Sequence, residues 1–140
     1  NGFCWSTVTG VYGDEKGHAF RAKYKKRFPG IMGLAYTGIA YDFAYMLKGA
    51  WEGVGDPRKF KEVVGWIRAN PMRGVCGYYD VNNPYQEARH FPDNGFDDLQ
   101  ASEIEKGQSQ FYCQIQDKEH KIVFPSQISE AKLKPASWWK

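Results

Sequence analysis

The sequence has no long uncharged hydrophobic run, which excludes a transmembrane helix of ordinary length. The longest weakly charged stretch runs from Ile31 to Leu47 and carries Asp42 in its interior. A helix needs about 20 apolar residues to cross a bilayer. The N-terminus also lacks the pattern of a signal peptide, because Asn1 is followed directly by a segment typical of a strand. We therefore expect neither a membrane span nor a leader in this sequence.

Cysteine is scarce, and its spacing predicts no metal site. Cys4, Cys76 and Cys113 are the three thiols of the chain. No two of them have the spacing of about two to four residues that is usual for zinc ligands. An odd number leaves at least one thiol unpaired within the chain, and the sequence does not decide whether any two pair.

Catalytic and phosphate-binding motifs are missing as well. The chain contains no Gly-x-Ser-x-Gly, no Gly-x-Gly-x-x-Gly and no Gly-x-x-x-x-Gly-Lys-Ser/Thr. His18, His90 and His120 fall at a predicted helix start, in a long loop and in a hairpin turn, where a solvated histidine is favoured over a general base. All three cysteines fall in predicted strands, where a buried, inert thiol is usual. We therefore predict that the chain is not an enzyme and has no catalytic residues.

Positive charge is modest and concentrated at one helix end. The chain has 19 Lys and Arg against 16 Asp and Glu, a net charge of +3. The dense run of Lys23, Lys25, Lys26 and Arg27 ends a predicted helix, where cations are favoured by the helix dipole. A nucleic-acid-binding protein gathers its basic residues on a groove-sized face. The sequence predicts no such face and no nucleic-acid partner.

The order of predicted elements indicates the α/β class. A strand over Phe3 to Thr9 is followed by three helices, a short strand around Gly74 to Tyr79, a long loop over residues 80–108, and a hairpin. The helices are predicted from Asp14 to Phe28, from Thr37 to Trp51, and from Asp56, as N-cap, to Asn70, with Phe60, Val63, Val64 and Ile67 on the apolar face of the third. The hairpin pairs Gln110–Gln116 with Lys121–Phe124.

The middle predicted helix is apolar nearly all round, so other protein must cover most of its sides. Its spacing favours core packing for Tyr41, Tyr45 and Trp51. Tyr36 differs, because it precedes the helix, beside Thr37, in a loop from which its ring and hydroxyl could both contact a ligand. A functional and a structural role are equally supported for Tyr36.

Taken together, these residues resemble the C-terminal part of bacterial branched-chain amino-acid-binding proteins. Those proteins are the substrate-binding components of ABC importers and have the type I periplasmic binding protein fold. The order and spacing of several short motifs carry the resemblance over nearly the whole chain: Phe20-x3-Tyr24-x3-Phe28-Pro-Gly, Ala40-Tyr41-Asp42-x-Ala44-Tyr45-x-Leu47-x2-Ala50, Gly74-Val75-x-Gly77, Tyr79-Asp80-x-Asn82, Gln114-Ile115-Gln116-Asp117-x3-Lys121 and Pro135-x2-Trp138.

The resemblance implies a portion of a two-lobe fold, with parts of both lobes and a C-terminal β-hairpin. Residues 1–12 would form a second-lobe strand and crossover, 13–73 first-lobe helices, and 74–80 a crossover strand. Residues 81–140 would return to the second lobe with the long loop, hairpin and tail. Hinges are expected near Gly10 and over Gly74–Gly77. The remainder of the protein, or a second chain, would complete both lobes.

The resemblance also implies a function. A small amino-acid-like or related polar or apolar ligand would be enclosed between the lobes by hinge closure, in the periplasm, without a cofactor, and delivered to a membrane permease. The signal peptide would lie outside this chain. Tyr36 matches the loop aromatic that contacts ligand in the family. Thr37, its neighbour, and Trp5, near a strand end, are further candidates.

Two other classes of protein stay open on the sequence alone. One is a small secreted, aromatic-rich module that binds a saccharide through Trp138, Trp139 and other aromatics. The other is a non-catalytic part of a multi-chain enzyme. An exposed row of Trp and Tyr would favour the first, and sensitivity to chelators or a titratable pH optimum would favour the second.

Overall fold

The computed structural model describes residues 2–30, 32–90, 103–136 and 138. The elements are strand β1 (Cys4–Thr7), helices α1 (Glu15–Arg27), α2 (Thr37–Val54) and α3 (Phe60–Ala69), strands β2 (Met72–Arg73), β3 (Tyr78–Tyr79), β4 (Phe111–Gln116) and β5 (Glu119–Phe124), and a 3₁₀ turn over Ser126–Ile128. The predicted mixture of helices and strands is confirmed. Within these ranges, no helix has both the length and the apolar character that a membrane span requires.

Three strands form an antiparallel sheet in the order β1-β4-β5, with Trp5 of β1 opposite Cys113 of β4. Between β4 and β5 the chain reverses through Asp117 and Lys118, whose φ angles are +53° and +68°. Two successive left-handed residues match the right-handed twist of the flanking strands. The predicted hairpin is confirmed, with a turn of two residues because β5 already begins at Glu119.

Helix α1 begins and ends where its sequence predicts. Asp14 is the N-cap, and its carboxylate accepts a hydrogen bond of 2.8 Å from the backbone N–H of Gly17. Its last turn carries Lys25, Lys26 and Arg27, where cations offset the partial negative charge of the carbonyl end.

Helix α3 begins three residues later than predicted, with Lys59 and not Asp56 at the N-cap position. Asp56 is not its N-cap, because the carboxylate accepts from the backbone N–H of Arg58 at 3.0 Å and pairs with the same residue's guanidinium. The predicted apolar face is also wrong in part: Val63 is buried, whereas Phe60 is 74% and Val64 49% exposed. Packing against α2 is made instead by Trp66, whose ring lies against Gly49 and Gly53.

The single strand predicted around Gly74 to Tyr79 is wrong in form. Two two-residue strands, β2 and β3, pair as a ribbon, and residues 74–77 form the turn between them. The turn is closed by a hydrogen bond of 2.8 Å from the Gly74 N–H to the Gly77 carbonyl. Cys76 therefore lies in a turn, not in a strand.

The long loop after β3 is only partly described. Residues 80–90 and 103–110 contain neither helix nor strand, and an isolated bridge joins His90 to Gln108. The middle of the predicted loop, residues 91–102, lies outside the described residues.

Two hydrophobic clusters meet at the segment before α1. One lies under the three-stranded sheet and contains Tyr12, Leu34, Phe111, Cys113, Ile122 and Ile128. The other lies between the helices and the β2–β3 ribbon and contains Val11, Phe20, Val75, Cys76 and Tyr79. The neighbours Val11 and Tyr12 thus enter different clusters, and their amides donate to Leu34 and Val75 respectively. We call residues 10–12 and 74–77 together the junction.

Candidate functional site

Tyr36 and Thr37 lie at the N-terminal end of α2. Tyr36 is 77% exposed, and its side chain does not cap the helix. The Thr37 hydroxyl donates to the Gly33 carbonyl at 2.9 Å. The structure therefore leaves the ring and hydroxyl of Tyr36 open, whereas the Thr37 hydroxyl already has a local acceptor.

Trp5 lies on β1 and contacts the hairpin. Its indole N–H donates to Nδ1 of His120 at 2.9 Å, and the two rings meet edge to face. Since Nδ1 accepts this bond, the proton of the neutral imidazole lies on Nε2. Trp5 also packs against the cluster under the sheet. The structure places Tyr36 and Thr37 together, and the described contacts of Trp5 involve neither of them.

Helix α2 packs directly on the junction. A Cβ at Gly38 would lie 2.4 Å from the Cys76 sulfur and 2.5 Å from a methyl of Val11. Only glycine leaves room for so close an approach. The end of α2 that carries Tyr36 therefore contacts both segments of the junction.

Asp42 binds the same turn through its carboxylate. The side chain is 2% exposed. It accepts from the backbone N–H groups of Val75 at 2.7 Å and Cys76 at 2.9 Å, and from the Tyr79 hydroxyl at 2.9 Å. A buried carboxylate is costly unless it is hydrogen-bonded in this way. Burial, with the nearby charge of Asp42, raises the pKa of both the Cys76 thiol and the Tyr79 phenol.

Sequence reasoning used Asp42 only as a break in an apolar run and as part of a motif. The available signal was an acidic residue on an otherwise apolar helix, which indicates a buried hydrogen-bonding role. Its partners could not be identified, because they lie more than 30 positions away along the chain.

Two ion pairs flank the junction, and the sequence pointed to neither. Arg21 of α1 pairs with Glu130 at 2.5 Å and donates to the Val11 carbonyl at 2.7 Å, while Glu130 accepts from the Ile122 N–H of β5 at 3.0 Å. Arg73 of β2 pairs with Asp14 at 2.5 Å. The Arg21 and Glu130 side chains are only 17% and 11% exposed.

The aromatic residues of α2 are not core residues of this chain. Tyr41, Tyr45 and Trp51 are 36%, 53% and 46% exposed, which overturns their predicted core packing within the chain. Tyr41 packs against Phe20 of α1 and against Tyr45, with ring centroids 4.8 and 4.6 Å apart. These three aromatic side chains of α2 thus remain partly open to solvent.

The three thiols are free, and they differ in environment. Cys76 and Cys113 are buried, whereas Cys4 is exposed, contrary to the burial expected for all three. Burial, assisted by the charge of Glu130, raises the pKa of the Cys113 thiol to about 12. In the described part of the chain, no group of three or more His, Cys, Asp or Glu side chains is arranged to hold a metal ion.

An open groove of about 330 Å³ lies between α1 and the β4–β5 hairpin. Met32 and Leu34 form its apolar wall, and the other lining residues include charged side chains of both signs. The groove does not include Tyr36, Thr37 or Trp5 in its lining, so its position differs from that of the predicted site.

The fold is that of a fragment of a periplasmic binding protein, including the C-terminal strand pair. This likeness is to the crystal structure of a protein from Silicibacter pomeroyi described as a branched-chain amino acid ABC transporter, with a TM-score of 0.79 and 24% sequence identity. The match covers 99% of this chain and 35% of that one. The fold expected from the residues is thereby confirmed, and the chain spans about a third of the length of that protein.

No family model matches the sequence, and no curated protein matches it. At this level of identity the structural likeness establishes the fold alone.

Proposed function

We propose that this chain is part of the substrate-binding component of an ABC importer, which captures a small amino-acid-like ligand without catalysing a reaction. The observation that carries the proposal is the structural match over 99% of the chain to a protein described as a branched-chain amino acid ABC transporter. The ligand-bound protein would act in the periplasm and deliver its ligand to a membrane permease.

The proposed ligand contacts are Tyr36 first, then Thr37 and Trp5. Exposure of the Tyr36 ring supports a contact with an apolar or aromatic ligand side chain, and its hydroxyl can bond a polar one. Thr37 would contribute through its backbone or methyl group, since its hydroxyl donates to Gly33. Trp5 would contribute through its ring, since its N–H donates to His120.

The proposed mechanism is closure of two lobes about the junction. The helices with β2, within residues 13–73, would belong to one lobe and the three-stranded sheet to the other, which is consistent with the two separate hydrophobic clusters. A closed form that encloses ligand is the usual outcome of hinge motion in two-lobe binding proteins. The 10–12 and 74–80 segments would be the crossings between the lobes.

The exposed aromatic surface of α2 requires a protein partner under this proposal. Phe43, Tyr45 and Trp51 are each about half exposed. Positions 43 and 45 lie about 200° apart around a helix, so apolar side chains are open on more than one side of α2, as in a helix that other protein covers. We propose that the remainder of the same protein, or a second chain, covers it.

The exposed Trp138, at 66% exposure, favours the alternative of a saccharide-binding module. Trp139, its predicted companion, lies outside the described residues. The aromatic rings of α1 and α2 do not favour that alternative. Their neighbouring rings are tilted by 43° to 51° and pack on one another, in the order Tyr24, Phe20, Tyr41 and Tyr45. A sugar platform needs ring faces open to solvent. No described residue gives specific support to a multi-chain enzyme.

The test is calorimetric titration of the full-length protein with L-leucine and L-phenylalanine. We expect binding of at least one, unaffected by a chelator. Tyr36→Ala should weaken it about tenfold or more, as truncation of a central aromatic contact commonly does. Tyr36→Phe separates the contribution of the hydroxyl from that of the ring.

Tyr85→Ala is the matched control, because Tyr85 is also an exposed tyrosine, at 59%, but lies far along the chain from α2. Equal losses in both variants would remove Tyr36 from the site. Binding of maltotriose or cellotriose, with no amino acid bound, would replace the importer proposal by the saccharide module.

A further inference from the structure

One carboxylate joins α2 to the turn of the junction. Asp42 accepts three hydrogen bonds, from Val75, Cys76 and Tyr79, all between 2.7 and 2.9 Å. Hydrogen bonds to a charged acceptor are about twice as strong as neutral ones. With 2% exposure, water has little access to compete for the carboxylate. Asp42 therefore binds the turn through the backbone N–H groups of residues 75 and 76, and these two bonds do not depend on the side chains of the turn.

Steric contacts remove the remaining freedom between the helix and the turn. A Cβ at Gly74 would lie 2.3 Å from the Asp42 carboxyl carbon, and one at Gly38 would lie 2.4 Å from the Cys76 sulfur. Contacts this close leave no gap into which either segment could shift on its own. The first turns of α2 and residues 74–76 therefore move as one body.

The same end of α2 carries Tyr36. It lies six positions before Asp42, which is about 9 Å along a helix axis. The first backbone hydrogen bond of α2 runs from the Ala40 N–H to the Tyr36 carbonyl, at 3.4 Å. A displacement of Tyr36 is thus transmitted through fewer than two helical turns to the Asp42 carboxylate.

We infer that Asp42 is a positioning residue that couples the Tyr36 end of α2 to the crossing at Gly74–Tyr79. A ligand that contacts Tyr36 then fixes the position of the crossing. The part that concerns ligand rests on the proposed function, whereas the coupling is a property of this chain in the free protein. Glycine at 74 serves close packing against Asp42. Within the 74–80 crossing, we therefore place the bending after residue 76, and not over the whole Gly74–Gly77 stretch expected from the sequence.

The test is amide hydrogen exchange in the full-length protein, without ligand, for wild type, Tyr79→Phe and Asp42→Asn. Tyr79→Phe removes one of the three bonds and keeps the ring, so it should fold even if Asp42→Asn does not. We expect exchange at Val75, Cys76 and Ala40 to accelerate together, by about tenfold for the loss of one charge-assisted bond. Tyr78→Phe, on the same short strand, is the control and should change none of them.

Acceleration at Val75 and Cys76 with Ala40 unchanged would overturn the coupling, because the carboxylate would then stabilise the turn alone. This result does not depend on any ligand.

A second arm adds L-leucine or L-phenylalanine. In wild type, bound amino acid should slow exchange at Ala40 and at Val75 and Cys76. In Tyr79→Phe the slowing should persist at Ala40 and be reduced several-fold at Val75 and Cys76. If Asp42 had a purely structural role, the ligand-induced protection at Ala40, relative to that at Val75 and Cys76, would be the same in Tyr79→Phe as in wild type. If neither amino acid protects any amide, the importer proposal fails, while the first arm still decides the coupling.

Discussion

Tyr12, Cys76, Tyr79 and Cys113 are buried side chains at or beside the junction that keep their protons in the folded state. Burial is the main cause of the raised pKa in each. Nearby carboxylates add to it, Asp42 for Cys76 and Tyr79 and Glu130 for Cys113. These groups stabilise the fold only while they remain neutral, so the protein should lose stability in alkali.

The thiol of Cys113 gives a specific prediction. Its pKa rises from 9.0 to about 12 on folding. Below pH 9 the thiol is protonated in both states. Above pH 9 the unfolded chain ionises and the folded protein does not, so the free energy of unfolding falls by up to about 1.4 kcal/mol per pH unit from this group. In Cys113→Ala, the decline between pH 9 and pH 11 should be shallower by that amount.

Urea unfolding at several pH values measures the slope. Cys4→Ala, which removes the exposed thiol, should keep the wild-type slope. If Cys113→Ala also kept it, the thiol would not be shielded from solvent.

At the scale of helices and strands, the elements that could be predicted are those that neighbouring residues determine. Helix α1 has its own N-cap in Asp14, and the hairpin has two strand patterns around a short polar turn, so each could be predicted from neighbouring residues. The start of α3 and the β2–β3 ribbon could not. Asp56 bonds Arg58 in a local turn, and residues 74–77 are folded by a carboxylate from α2. A competing local hydrogen bond decided the start of α3, whereas long-range contacts, which no local pattern encodes, decided the ribbon.

Two helix glycines should respond to alanine in opposite directions. In an open helix position, alanine is favoured over glycine by about 1 kcal/mol. Gly65 of α3 has no heavy atom within 4 Å of a built Cβ, whereas Gly38 of α2 would place its Cβ against Cys76 and Val11. Overpacking costs about 1–3 kcal/mol, which exceeds the helix gain.

We therefore expect Gly65→Ala to raise the urea midpoint and Gly38→Ala to lower it. Comparing the two variants controls for helix propensity, since both replace a helical glycine by alanine. A stabilised Gly38→Ala would mean that α2 can move away from the junction without cost, and it would weaken the case for close packing there.

At the scale of the whole molecule, the fold class could be predicted, whereas the site stays a prediction. An all-round apolar helix with too few strands to cover it indicated missing neighbours, and the exposed aromatic surface of α2 agrees with this. Tyr36 stays a prediction from its place before a helix and from the family resemblance, and Thr37 stays one as its neighbour. The connection from that helix to the junction was not predicted, because it depends on Asp42 meeting residues of a distant segment.

The Arg21–Glu130 pair connects the helical part of the molecule to the sheet. Loss of one partner leaves the other charge largely buried, which costs about 3 kcal/mol. Arg21→Met keeps most of the side-chain volume and should lower the urea midpoint strongly. Arg58→Met provides the comparison, since Arg58 is 87% exposed in its pair with Asp56 and should change the midpoint little. Similar shifts of the urea midpoint in the two variants would show that the buried pair stabilises the protein no more than the exposed one.

Val11 and Tyr12 also restrict which mutations this segment can accept in evolution. Successive residues of an extended chain point in opposite directions, and these two fill separate clusters. Insertion of a single residue just upstream would move Val11 into the place of Tyr12, presenting an aliphatic group where a tyrosine hydroxyl receives the Ser109 amide. Substitutions of similar volume are tolerable in this segment, but a change in its length would damage both clusters at once.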